Sequence, residues 1–286
     1  MRVAAVQMCS GADRDANLDV ASSLIERAAG EGADLVVLPE MFNLLGSGAV
    51  LRAGAEPLDG VTARWAAAHA SAHGLTLVAG TFIERPAGDA DPDGDERPAR
   101  SANTCCVYGP DGARLAVYRK IHLFDVDVPG AVYRESDVIA PGDEIVVTSA
   151  PAGAGEDPIG LGLSVCYDVR FPELYRIATL RGADVVTVPA AFTATTGPPH
   201  WEVLLRARAI ENHLVVVAAG QHGSSSERLG WHGHSMIVDP WGTVLGELPD
   251  GDGVVVAEID RADQDRIRGV LPSVANRRPS AYRWPS

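Results

Sequence analysis

A chain of 286 residues, 46% hydrophobic and 22% charged, has the length for a sizeable core and the balance of a soluble globular protein. Its 38 acidic and 24 basic residues give a formal net charge of −14, which argues against nucleic acid or an anionic membrane as partner, since either needs a basic face. No apolar run approaches membrane-spanning length.

Residues 1–8, MRVAAVQM, are too short and too broken by Gln7 for a signal-peptide core, and read as a strand over 2–8. A helix over 17–29 places Leu18, Ala21, Leu24, Ile25 and Ala28 on one face, with Gly30 to stop it. Residues 34–39 form an apolar strand ending at Glu40. A helix over 62–73 aligns Trp65, Ala68 and Ala72, and a strand follows over 75–83. The stretch 86–100, PAGDADPDGDERPAR, is a polar surface loop. Residues 104–108 and 114–120 flank Gly109-Pro110-Asp111-Gly112 as a hairpin.

The apolar run 159–165 opens a strand over 161–167 that passes through Cys166. Next come a helix over 172–181, a strand over 184–189, a helix over 200–213 and a strand over 214–220. Residues 235–238 and 243–248 form a hairpin through Asp239-Pro240-Trp241-Gly242, and 254–259 add a last strand. The tail over 271–286 is irregular, and its aromatic and arginine content suits docking on the body or on a partner subunit.

Both halves run strand, helix, strand, helix, strand, hairpin. Their letters echo as well: EGADLVVLPEMF over 31–42 against RGADVVTVPAAF over 181–192. Two similar sheets, each with helices on one face, would pack together by their other faces. The expected α/β fold is a four-layer α-β-β-α sandwich with an internal pseudo-twofold repeat. The one loop suited to be a linker falls inside the first half, so 1–286 is read as a single domain.

The four cysteines are Cys9, Cys105, Cys106 and Cys166, with no C-x-x-C pair, which makes zinc and thioredoxin-type readings weak. The expected setting is a reducing cytoplasm with free thiols. Cys105 and Cys106 are strand neighbours that should point to opposite faces and pack. Cys166 is either a buried apolar filler or a nucleophile at the carboxyl end of a strand, where reacting groups of α/β sheets gather. Glu40 is either a solvated strand end or a carboxylate in a near-buried setting suited to general acid/base work. Lys120 and Glu135 read equally well as surface charges. His222, His232 and His234 lack a carboxylate or cysteine at ligand spacing, so they are read as loop and packing residues, with no metal and no cofactor.

LPEMF with Glu40, YRKIHLFD with Lys120, and GLSVCYDVRFPEL with Cys166 resemble the three catalytic motifs of the carbon–nitrogen hydrolase (nitrilase-like) superfamily, in its order and approximate spacing. The likeness covers nearly the whole chain. It is nearest the deaminated-glutathione amidase and omega-amidase branch, through DVDVPG, TTGPPHWEVLLRARAIEN, GHSMIVDPWGTV and LPSVANRRPSAY.

The resemblance implies the α-β-β-α fold, a homodimer or higher homo-oligomer, and a cysteine thioester mechanism on a small carboxylate-bearing amide. Carried onto this chain, Cys166 attacks as thiolate, favoured by the lysine charge beside it. Lys120 and the backbone N–H of Tyr167 hold the oxyanion, Glu40 moves protons, and Glu135 positions Lys120 or substrate. Arg170 matches a carboxylate-binding position, with a salt bridge to Glu173 or Asp168 as the plain alternative. Phe192 and Thr196 match pocket positions, and Phe192 equally suits the core. Nitrile or N-carbamoyl amino acid hydrolysis, other aliphatic amidase activity, a binding protein that has lost its chemistry, and a redox-sensing thiol protein are the competing readings.

Overall fold

The computed structural model describes residues 1–85, 100–128, 131–153, 155–226 and 229–282, so most of the expected loop over 86–100 lies outside them. The first half runs β1 (Arg2–Gln7), α1 (Arg14–Gly30), β2 (Leu35–Val37), α2 (Gly48–Ala53), α3 (Val61–His73), β3 (Thr76–Val78), β4 (Phe82–Glu84), β5 (Ala102–Tyr108), β6 (Arg114–Arg119), β7 (Asp125–Val128) and β8 (Ala131–Arg134). The second half runs β9 (Val147–Ala150), β10 (Ile159–Leu163), α4 (Pro172–Leu180), β11 (Val185–Ala190), α5 (Gly197–Asn212), β12 (Val215–Gly220), β13 (His222–Ser226), β14 (Leu229–His232), β15 (Ser235–Val238), β16 (Val244–Leu248), β17 (Gly253–Glu258) and α6 (Arg261–Val270).

One sheet has the order β17-β1-β2-β3-β5-β4, with β6 also on β5; the other has the order β16-β15-β12-β11-β10-β9. In each, three parallel strands form the centre: β1, β2 and β3, or β10, β11 and β12. An antiparallel strand flanks one side, β17 or β9, and the first arm of an antiparallel hairpin flanks the other, β5 or β15. This is the repeat expected from the sequence.

Alternation along the strands makes the layers. Val3 and Ala5 join a core shared with Leu161, Leu163 and Val185 of the other sheet. Ala4 and Val6 face the opposite way, against Leu18, Ala21 and Ile25 of α1 and Ala66 and Ala70 of α3. In the second half Val186 and Val188 face the other way, toward Tyr175 and Ala178 of α4 and Trp201, Leu205 and Ala209 of α5. The result is the four-layer α-β-β-α sandwich. Each fully buried Val, Leu or Ile contributes roughly 1.5–3 kcal/mol to it. Cys105 faces the other sheet and Cys106 the helices, so the pair packs on opposite faces as expected.

Several local expectations are corrected. The strand over 34–39 pairs only across Leu35–Val37, and the strand over 75–83 breaks into β3 and β4. The break lies at Gly80, whose φ is +43°; a Cβ there would sit 2.0 Å from the carbonyl oxygen of Pro39. The buried face of α3 is Thr62, Ala63, Ala66 and Ala70 rather than Trp65, Ala68 and Ala72, and the Trp65 indole donates to Ser22 Oγ at 3.3 Å. α5 starts at Gly197, earlier than residue 200, and ends at His213 in the left-handed region. The strand expected to run through Cys166 stops at Leu163.

Candidate active site

Three strand ends bring the charged residues and the thiol together. Glu40 follows β2, where Met41 takes φ +53° and its N–H donates to Thr81 Oγ1 at 2.8 Å, turning the chain off the sheet. Lys120 follows β6, with its N–H on Asn103 O at 2.9 Å and its carbonyl accepting from Gly142 N at 2.8 Å. Cys166 follows β10 and heads a 3-10 turn over Cys166–Arg170 at φ +48°. A non-glycine residue held there is strained, and surrounding bonds must keep it in place. Ser164 Oγ donates to Thr187 O at 2.8 Å, and Arg208 Nε donates to Val169 O at 2.8 Å.

Lys120 Nζ donates to Glu40 Oε1 at 3.0 Å and to Glu135 Oε1 and Oε2 at 3.1 and 2.8 Å. The second oxygen of Glu40 accepts from the N–H of Ala191 at 2.8 Å. Glu135 Oε2 also accepts from Phe124 N at 2.7 Å. Burial alone would lower the Lys120 pKa, but the carboxylates of Glu135 and Glu40 outweigh it and hold the ammonium well above the ordinary lysine value. At Cys166 the balance runs the other way. Burial and then Glu40 push the thiol well above its ordinary value, and the opposing pull of Lys120 does not cancel them. Lys120 thus favours the thiolate, while burial and the neighbouring carboxylate favour the protonated sulfur.

Glu40, Lys120, Glu135 and Cys166 all line one cavity of about 230 Å³. Its remaining wall is largely apolar and aromatic, including Leu51, Phe124, Tyr133 and Ile139. Tyr167, Phe192 and Thr196 also line it. Arg170 does not. Its guanidinium lies 5.2 Å from the ring centre of Phe192 and 5.7 Å from that of Tyr167, and Nη1 is 3.3 Å from His200 Nδ1. It pairs with neither Glu173 nor Asp168 among the described residues, which removes the salt-bridge alternative.

The family model for carbon-nitrogen hydrolases matches residues 2–268. The chain belongs to the carbon–nitrogen hydrolase family. Of its relatives, a deaminated glutathione amidase from Synechocystis is 42% identical, covering 96% of this chain and 97% of its own. An omega-amidase, NIT2, from Danio rerio is 35% identical over 98% of this chain and 96% of its own. Among solved structures, Saccharomyces cerevisiae Nit3, described as a member of branch 10 of the nitrilase superfamily, superposes with a TM-score of 0.82 at 30% identity, covering 99% of this chain and 97% of that one.

The hydrolase also uses residues that the motifs do not mark. Asn103 Nδ2 donates to Glu40 Oε1 at 2.8 Å and to Glu135 Oε1 at 3.2 Å, tying the two carboxylates together. Between Ala102 and Thr104 at the head of β5, Asn103 carries no distinguishing sequence signal. Trp231 lines the cavity from β14, a Gly/Ser-rich hairpin without strand alternation. Asp168, wholly buried, sits two residues beyond Cys166. His222 pairs with Asp252, His234 pairs with Glu247, and His232 stacks on His234 at 4.2 Å. Among the described residues no cluster of three or more His, Cys, Asp or Glu is arranged to hold a metal ion.

Proposed function

We propose that this hydrolase is an amidase that cleaves the C–N bond of a small carboxylate-bearing amide, of the deaminated glutathione or α-ketoglutaramate type, to acid plus ammonia or amine. The observation that carries the reading is one cavity wall holding a thiol, an ammonium and two carboxylates within reach of one small molecule. The names of the Synechocystis and Danio rerio relatives support the substrate class. Both candidate substrates carry the same α-ketoglutaryl group, so one acyl pocket serves both.

In this reading Glu40 accepts the Cys166 proton as the sulfur attacks the amide carbonyl carbon. The oxygen that gains charge meets the Lys120 ammonium and the N–H of Tyr167, in the first turn of the helical segment that Cys166 heads. Glu40 passes its proton to the nitrogen, the C–N bond breaks, and an acyl thioester remains on Cys166. Glu40 then takes a proton from water while the water oxygen attacks the thioester carbon. The acid departs and the sulfur regains its proton. Glu135 holds the ammonium and transfers nothing. Arg170, free of carboxylate partners among the described residues, takes the substrate carboxylate beside Phe192 and Thr196; a guanidinium suits this through paired hydrogen bonds. No cofactor enters the scheme. The same reading takes 1–286 as one domain in a reducing cytoplasm, working as a homodimer or larger homo-oligomer with 271–286 docked on the body or a partner subunit. Exposed Val203, Ile210 and Trp241 on the second helical side support association.

The test offers purified protein a panel of α-ketoglutaramate, deaminated glutathione, nitriles and N-carbamoyl amino acids, with product release and intact mass as readouts. The expected result is release of α-ketoglutarate from the first two, with an α-ketoglutaryl adduct on wild type and none on Cys166→Ala. Nitrile turnover without amide turnover would remove the amidase reading. Undiminished turnover by Cys166→Ala would remove the nucleophile.

A further inference from the structure

We infer that Asp168 is the positioning residue that sets Cys166 and Lys120 in register with one another. The inference rests on the reading of Cys166 as nucleophile and Lys120 as oxyanion donor. Four donors converge on this buried carboxylate. Oδ2 accepts from Tyr118 Oη at 2.6 Å and from Val165 N at 2.8 Å. Oδ1 accepts from His122 N at 3.1 Å and lies 2.7 Å from His122 Nδ1.

The identity of the donors matters more than their number. Val165 immediately precedes Cys166, whereas Tyr118 and His122 stand two residues before and two after Lys120. One side chain thus grips the strained turn that offers the thiol and both shoulders of the segment that offers the ammonium. A second link runs parallel to it: the His122 ring stacks on Phe171, at the far end of the same turn, with centroids 3.5 Å apart and planes 6° apart. No lysine or arginine pairs with Asp168 among the described residues. A buried carboxylate without a cation persists only if hydrogen bonds satisfy it, so all four donors are needed and the geometry they impose is stiff.

The chemistry depends on that stiffness. The carbonyl carbon must meet the sulfur while its oxygen meets the ammonium, and a misplacement of about 1 Å costs on the order of 100-fold in rate. Each Asp168 oxygen accepts from two donors. An amide at this position therefore turns its NH2 toward two N–H or O–H groups and cannot preserve the clamp.

The experiment compares Asp168→Asn, His122→Ala and His122→Asn. For each it measures kcat and KM on α-ketoglutaramate, with active sites counted by the final extent of Cys166 alkylation. Asn at 122 keeps an N–H near the Nδ1 position, and Ala does not. The expected result is a kcat loss of about 100-fold for Asp168→Asn and about 10-fold for His122→Ala, with KM within about twofold and most of the loss restored in His122→Asn. A merely structural role would lower the melting temperature or the number of sites and leave kcat per site unchanged, and that result overturns the inference. So does His122→Asn performing no better than His122→Ala, which decides the matter if Asp168→Asn does not fold. Wild-type activity in Cys166→Ala would instead strike the underlying reading and take this inference with it. An acyl adduct on wild type with unchanged kcat in the clamp variants would strike the clamp alone.

Discussion

Lys120 Nζ lies 3.0 Å from Glu40 Oε1, and both side chains are 2–3% exposed. The ammonium is also the counter-ion of Glu135, so one cation compensates two carboxylates that Asn103 already holds side by side. Removing one partner of a buried ion pair leaves a charge without compensation, and here it leaves two. Lys120→Met, which keeps the volume, is expected to lower stability by about 3–5 kcal/mol as well as abolish turnover. Urea unfolding of the variant beside wild type measures this. An unchanged midpoint would mean that the two ion pairs contribute nothing to stability.

Gly80→Ala tests the support behind Glu40. The substitution puts a Cβ into the carbonyl of Pro39 and asks a non-glycine residue to hold φ +43°. The expected loss is at least about 2 kcal/mol of stability, with slower turnover in the fraction that folds, since Pro39 directly precedes Glu40. Thermal melting and activity per active site give both quantities. A variant that melts and turns over like wild type would show that this turn relaxes freely.

Alkaline pH should unfold the protein earlier than carboxylate chemistry alone would suggest. Burial raises the thiols of Cys105 and Cys166 well above 9.0 and that of Cys106 to about 12. A thiol with a raised folded pKa keeps its proton in the native state where the unfolded chain gives it up. Its contribution is intact below about pH 9 and falls as the pH climbs, by about 1.4 kcal/mol per unit for each group. Urea midpoints between about pH 8 and pH 10.5 should therefore fall steeply, and Cys106→Ala should flatten the slope. Equal slopes in variant and wild type would remove the thiols from the explanation.

Arg170→Lys separates recognition from packing. Lysine keeps the positive charge but loses the planar fork and its stacking over Phe192 and Tyr167. KM for α-ketoglutaramate should rise about tenfold or more, while a simple aliphatic amide without a carboxylate should be affected little. Equal changes for both substrates would assign Arg170 to holding Phe192 and Tyr167 rather than to the ligand.

The contrast between Cys166 and Asn103 indicates what a linear sequence can disclose. Glu40 and Lys120 end expected strands and Cys166 follows the apolar run 159–165, so a pattern within ten residues marks each. The role of Asn103 is set by partners 63 and 32 residues away, and nothing local separates it from an ordinary strand residue. The sandwich was legible because two similar halves repeat one order of elements. The hairpins β7–β8 and β13–β14 were not, since short segments rich in Gly, Ser or charge show no period. α6 was missed for a similar reason: only Gln264 and Ile267 of its residues are buried. The forces opposing Lys120 at Cys166 were not legible, because Lys120 is apparent as a charge in the motif, whereas burial and the approach of Glu40 arise only in three dimensions.

The pairing of β17 with β1, Arg2 opposite Glu258 and Gln7 opposite Gly253, bears on biosynthesis. β1 is synthesised well before β17 and must wait, one flank unzipped, for it. Until then its free N–H and C=O groups offer a template to any passing polypeptide. Chains truncated before residue 253 should accordingly engage holdase chaperones, and chains that include residues 253–258 should not.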